Sequence, residues 1–242
     1  TQSRINVVKC STSFRGELHS LWSTTALAPV ASRGAVSRQY TGASDTWEDG
    51  AYLQGAPSVG SITGATDVTL YTQDLNVGSN IDLLVVAVAY VNNANITTAL
   101  TQVKFNTDSS GNGGVSMTTS GINTYNAESG IAIFYATNPP ASSGTNNHFS
   151  CYLDNGANTD NVAAAGYQIK GANVDALSIA VATSTDNSGT TISTAATTAV
   201  GDIVIDVVAG NENIATTPGS NQTTVMSGTG TGEAHSLKST YI

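Results

Sequence analysis

Two apolar runs dominate the hydrophobic pattern, residues 82–91 (DLLVVAVAYV) and residues 202–209 (DIVIDVVA). Both are too short for a membrane-spanning helix, which needs about 20 apolar residues. Their length and valine content predict buried β-strands. Around them lie shorter segments of looser alternation, separated by Gly, Asn, Ser and Asp. Strands are predicted at 4–10, 68–75, 100–105, 115–119, 130–137, 147–153, 162–169, 177–182, 190–194, 222–226 and 237–242. In the 147–153 segment, Phe149, Cys151 and Leu153 fall on one face and His148, Ser150 and Tyr152 on the other. Short strands at regular spacing, with turn residues between, predict an antiparallel sandwich or barrel. No helix-period stretch is long enough for βαβ units, which excludes a parallel α/β fold.

The first 61 residues have a different texture. Leu18, Leu21 and Trp22 stand at i, i+3 and i+4, which suits one short helix or an irregular docking segment, and Pro29 ends it. Residues 31–61 read as a long extended segment that must lie on something. The two tryptophans, Trp22 and Trp47, both fall in this part. They suit interface anchoring or packing over the edge of their own domain.

Residues 78–88 (GSNIDLLVVAV), 130–141 (GIAIFYATNPPA) and 199–209 (AVGDIVIDVVA) follow one another with a spacing that resembles a known family. It is a jelly-roll-like β-sandwich domain of bacterial secreted proteins and bacteriophage virion proteins. Residues 161–171 stand where that family has a further strand. The resemblance covers about residues 68–209 and lies in core strands and turns, so it carries over no catalytic residue. It implies an all-β, antiparallel jelly-roll-like β-sandwich at residues 62–242, preceded by an extended N-terminal arm at 1–61. It also implies one or two strands beyond the position of Tyr241. A sandwich lacking a strand exposes unpaired backbone groups. The strand-like segment at 4–10 is the expected filler, from the same chain or from a neighbour.

Composition adds an asymmetry. Only 10% of residues are charged while 40% are hydrophobic, so the chain folds rather than remaining disordered. Residues 1–40 hold Arg4, Lys9, Arg15, Arg33 and Arg38 against Glu17, a net of +4. Residues 41–242 hold three lysines against the other sixteen acids, a net of −13. A basic arm beside an acidic body suits docking on a neighbouring subunit, or a solvated tail. The acidic body excludes nucleic acid as a partner for most of the chain. Cys10 and Cys151 make either one disulfide or two thiols. The start at Thr1 reads as a processed end.

Candidate chemistry is sparse. Ser58 in APSVG lacks the first glycine of a nucleophile elbow. Asp154, Asn158 and Asp160 supply oxygen ligands that suit calcium or an ordinary turn. GTGTG at 228–232 has no lysine after it and is not a phosphate loop. Tyr90, Tyr125, Tyr152 and Tyr167 are aromatic candidates for a glycan face. The resulting expectation is a non-enzymatic structural protein, without cofactor or metal, assembled in many copies on a particle. A phage head decoration or fibre-type virion protein is the leading form, in a virion or extracellular setting. Its partners are copies of itself and other structural subunits, with surface glycans as a further candidate. The expected assembly residues are Arg4, Ile5, Val7, Val8, Lys9, Trp22, Arg33, Arg38 and Trp47. Two alternatives stand beside it: an extracellular filament subunit joined by strand donation, and a carbohydrate-binding module.

Overall fold

A strand with no polar alternation is stable only if both of its faces are covered. In the computed structural model of the 242-residue chain, that is the position of residues 83–90. The structure describes residues 3–10, 38–40, 47–49, 51–62, 68–92, 100–125, 129–153, 159–172, 174, 181–186, 203–210, 223–229 and 236–241. Among them there is no α-helix, and every strand ladder is antiparallel.

The strands in chain order are β1 (Ser3–Cys10), β2 (Arg38–Tyr40), β3 (Trp47–Asp49), β4 (Tyr52–Leu53), β5 (Ser58–Ile62) and β6 (Leu70–Asp74). Then follow β7 (Leu83–Asn92), β8 (Leu100–Thr107), β9 (Gly113–Ser116), β10 (Thr118–Tyr125), β11 (Ser129–Thr137) and β12 (His148–Leu153). The last are β13 (Thr159–Lys170), β14 (Val181–Asp186), β15 (Ile203–Gly210), β16 (Thr223–Thr229) and β17 (Ser236–Tyr241). They form a central sheet β10-β11-β7-β13-β4, with β5 also on β13. A four-stranded sheet β6-β12-β8-β9 and a five-stranded sheet β14-β1-β15-β17-β16 accompany it, and β2 pairs with β3.

The side chains show how the sheets stack. Leu84, Val86, Val88 and Tyr90 of β7 join Ala132 and Phe134 of β11 against Val103, Phe105, Phe149, Cys151 and Leu153 of the four-stranded sheet. The alternate residues Leu83, Val85, Ala87 and Ala89 join Ile131, Ile133, Tyr167 and Ile169 against Ile203, Ile205 and Val207 of β15. The central sheet is thus the middle of three layers. Its alanines, Ala163 to Ala165 on β13, are fully buried on alternating faces. Gly130 faces Tyr90 across the β7–β11 ladder, and a side chain there would collide with the tyrosine ring.

Several sequence expectations move. The predicted strand at 115–119 is two strands: the chain leaves β9 in the four-stranded sheet and enters β10 in the central one. Buried Met117 lies at the crossing. The strand expected at 177–182 is β14, at Val181–Asp186. Residues 51–61, assigned from sequence to the arm, carry β4 and all but the last residue of β5, both paired with β13. The segments 14–28 and 190–194 lie outside the described residues.

Double-sided burial has a direct test. Leu83 and Leu84 are adjacent, fully buried and on opposite faces. Leu83→Ala and Leu84→Ala should each cost about 2–5 kcal/mol, as cavities in a core do. Urea denaturation of the two variants measures this. A two-layer sandwich would leave one of them nearly neutral.

Candidate functional site

Three places on the molecule concentrate polar or unsatisfied valences. The first is a rim at one end, where the β6–β7 and β11–β12 connections meet the ends of β8 and β13. Asn106 takes a positive φ of 55°, Asn80 one of 58° and Asn138 one of 46°. Asparagine tolerates this left-handed region better than most residues. Asn106 Nδ2 donates to the Pro140 carbonyl at 3.0 Å, and its Oδ1 accepts from Ser142 Oγ at 2.7 Å. Ser142 Oγ accepts from the Val77 amide at 2.8 Å. Gln168 Oε1 accepts from the Gly78 amide at 2.8 Å while Nε2 donates to the Asn76 carbonyl at 2.9 Å. Asp82 Oδ2 accepts from the Gly171 amide at 2.6 Å. These side chains satisfy loop backbone groups that would otherwise lack partners.

The second place is the outer face of the four-stranded sheet. The β8–β9 turn folds over β12 and reaches β6. Thr72 Oγ1 donates to the Ser109 carbonyl at 3.2 Å, and the Tyr152 hydroxyl donates to the Gly111 carbonyl. Asp108 Oδ1 accepts from the Ser110 and Asn112 amides, both at 2.8 Å, and its Oδ2 accepts from Asn112 Nδ2 at 3.1 Å. The Asn112 donors first, then Ser110 and nearby His148, hold the Asp108 carboxyl below its ordinary range. Lys104 Nζ lies 5.1 Å from the Tyr152 ring centroid. His148 Nε2 lies 2.6 Å from Asp74 Oδ1, with the imidazole largely buried and the carboxylate exposed. Ser58 donates to the Asp74 carbonyl oxygen rather than to the imidazole. A serine activated for nucleophilic attack bonds to its base, so Ser58, His148 and Asp74 do not form that relay.

The third place is the position of β1. It lies between β14 and β15 and is antiparallel to both. Those two strands therefore run parallel to each other, separated by a one-strand gap. β1 fills it with unbroken register, from Ser3↔Gly210 to Cys10↔Ile203 on one side and from Ser3↔Asp186 to Val8↔Val181 on the other. β14 has β1 as its neighbour in the sheet and stands at the sheet edge.

Arg4, Ile5, Val7, Val8 and Lys9 are thus all positions of β1. Arg38 pairs with Asp49, and Trp47 with Tyr40, in the β2–β3 ladder. Trp22 and Arg33 lie outside the described residues. So do Asp154 and Asn158. Tyr90 and Tyr167 are core residues, and Tyr152 is half-buried under the β8–β9 turn. Among the described residues, no three His, Cys, Asp or Glu side chains cluster as metal ligands. The possible Cys10–Cys151 disulfide is not formed. Cys151 is a free, fully buried thiol of the core between the central and four-stranded sheets. Cys10 pairs with Ile203 in the five-stranded sheet, in the layer beyond the central one. The rim residues Asn106, Ser142, Gln168 and Asp82 were not singled out by sequence. The Asn-Pro-Pro and Gly-Ser-Asn turns were their one visible signal.

No family model matches the chain, and neither a curated protein nor a solved structure is significantly similar to it.

Burial raises the Cys151 thiol far above its ordinary pKa. A Cys10→Ser variant should therefore show no thiol reactive with Ellman's reagent when native, and one after denaturation. Asp108 makes a second test. Its folded pKa lies below the unfolded value of about 4. Its contribution is therefore present above that value and is lost as pH falls through the folded pKa. Denaturation between roughly pH 2 and 6 should show a smaller acid loss of stability in Asp108→Asn than in the native chain.

Proposed function

We propose that this protein is a non-enzymatic structural subunit, built on a jelly-roll-like sandwich and assembled in many copies on a virion or other extracellular particle. The observation that carries the reading is the nesting of its strand pairs. β5 pairs with β13, β6 with β12, β7 with β11 and β8 with β9. That is one long antiparallel hairpin, with successive pairs falling alternately in the central and four-stranded sheets. A hairpin rolled in this way is a jelly roll, an architecture common in capsid and lectin domains. The order agrees with the resemblance of residues 68–209 to jelly-roll-like domains of secreted and virion proteins.

The charge distribution supports the same role. A net +4 in residues 1–40 against a net −13 in the remainder suits docking of one chain's N-terminal part on another chain's body. The extended arm supplies these contacts, through Arg33, Arg38 and the two tryptophans as well as β1. The outer sheet then adds a third layer to the jelly roll, on the face where such contacts form.

Electron microscopy and sedimentation of the full chain test the reading. Multi-copy assemblies are expected at low ionic strength, shrinking when salt screens the arm–body attraction. Charge reversal of Arg33 and Arg38 to glutamate should shift the distribution toward monomer. A chain that stays monomeric at every concentration and salt would sink the proposal. Clean binding on a glycan array by such a monomer would favour a carbohydrate-binding module instead.

A further inference from the structure

We infer that the gap between β14 and β15 is an acceptor slot, and that in the assembled protein it is filled by β1 of a second copy of this chain. The inference rests on the multi-copy reading above and specifies its contact. It begins from the slot itself. β14 and β15 are parallel neighbours of a strand that is antiparallel to both, so each presents backbone N–H and C=O groups toward the gap. Both ladders with β1 are free of bulges, whereas β10–β11 and β16–β17 carry register shifts. At the free edge of the four-stranded sheet, β9 begins with Gly113 and Gly114, both at positive φ. Irregular edges resist pairing with another chain. The straight two-sided slot favours it.

The strand that fills the slot is joined to the rest of the chain by a long connection. The partners of β1 in its β14 ladder begin at Val181, far along the chain. Residues 11–37 separate it from β2 and at full extension span at most about 90 Å. A compact chain of this length has a radius of gyration of about 18 Å. The connection is long enough to reach a neighbouring molecule's slot. Backbone ladders read a strand by register rather than by which molecule it belongs to. The same eight residues therefore suit a neighbour's slot as well as their own. The basic N-terminal part is drawn to an acidic body, a neighbour's as well as its own, and each chain carries one donor and one acceptor of opposite charge. A donor and an acceptor at different places on each copy make a head-to-tail contact, which propagates as a ring or a filament.

Disulfide trapping reads the occupant directly. Asn6 stands opposite Thr183 in the β1–β14 ladder. In a Cys10→Ser background, the Asn6→Cys/Thr183→Cys double variant, assembled and then oxidised, should lose its monomer band on a non-reducing gel. A ladder of two, three and more chains should replace it. Singly substituted Asn6→Cys and Thr183→Cys chains, unfolded and refolded together, should give a covalent heterodimer. A second pair, Arg4→Cys with Ala209→Cys, tests the β15 side and covers the case in which the first pair fails to fold. Cross-linking confined to single chains, while microscopy still shows assemblies, would overturn the inference and leave the multi-copy reading standing. Absence of any cross-link in both pairs would also overturn it. Single-chain cross-links in a protein that never assembles would remove both.

Discussion

Burial of β7 on both faces is the constraint on which the other layers depend. Eight consecutive residues, Leu83 to Tyr90, are fully buried. Such a strand is stable only as the middle of three layers, because exposing one face would set Leu84, Val86, Val88 and Tyr90 in water, and exposing the other Leu83 and Val85, at about 1.5–3 kcal/mol for each large side chain. The four-stranded sheet covers one face and β15 with its neighbours the other. The small residues of the central sheet follow from the same constraint. Ala87, Ala89, Ala132 and Ala163 to Ala165 leave room for large side chains from both outer layers. Gly130 leaves room for the ring of Tyr90 within the sheet itself.

Polar chemistry is pushed to the ends and the outer surfaces. The rim around Asn106, Ser142, Gln168 and Asp82 ties down three chain connections by side chain to backbone bonds. The Asp108 turn is closed in the same way by its own amides. A polar group used to satisfy loop backbone is not available to bind or activate a substrate without first breaking that bond, at a cost of about 1–3 kcal/mol for the group left unpaired. The polar clusters of the described surface are therefore best understood as closures of the fold. The seat of β1 in the outer sheet differs from these clusters, because it is built from backbone ladders rather than side chains.

Much of this was legible in the sequence, for identifiable reasons. The runs at 82–91 and 202–209 announced β7 and β15, because strands buried on both faces lose polar alternation. The alternation at 147–153 placed Phe149, Cys151 and Leu153 on the inner face of β12. Ser150, assigned to the opposite face, is nonetheless fully buried, with its hydroxyl 2.6 Å from that of Thr107 on β8, a contact between strands that periodicity does not encode. β10 was hidden for another reason. TTSGINTY carries little apolar signal, and its place at the sheet edge is set by pairing with β11. The third layer was not foreseen, because two continuous apolar runs suggest a shared core without saying that they lie in different sheets. The rim escaped because its asparagines act through left-handed backbone and loop carbonyls, which no spacing rule marks.

The segment at 4–10 shows where the two kinds of information meet. From sequence it was a strand in search of a sheet; in the fold it is a strand with two partners, and one of them, β14, stands at the edge of that sheet beyond it. Its insertion closes the outer layer over β10 and β11, so the completeness of the third layer depends on a strand from the far end of the chain. Contacts between residues this distant in sequence carry the largest loop-closure entropy in the fold. A strand supplied by a neighbour replaces that internal closure with the effective concentration set by an assembly.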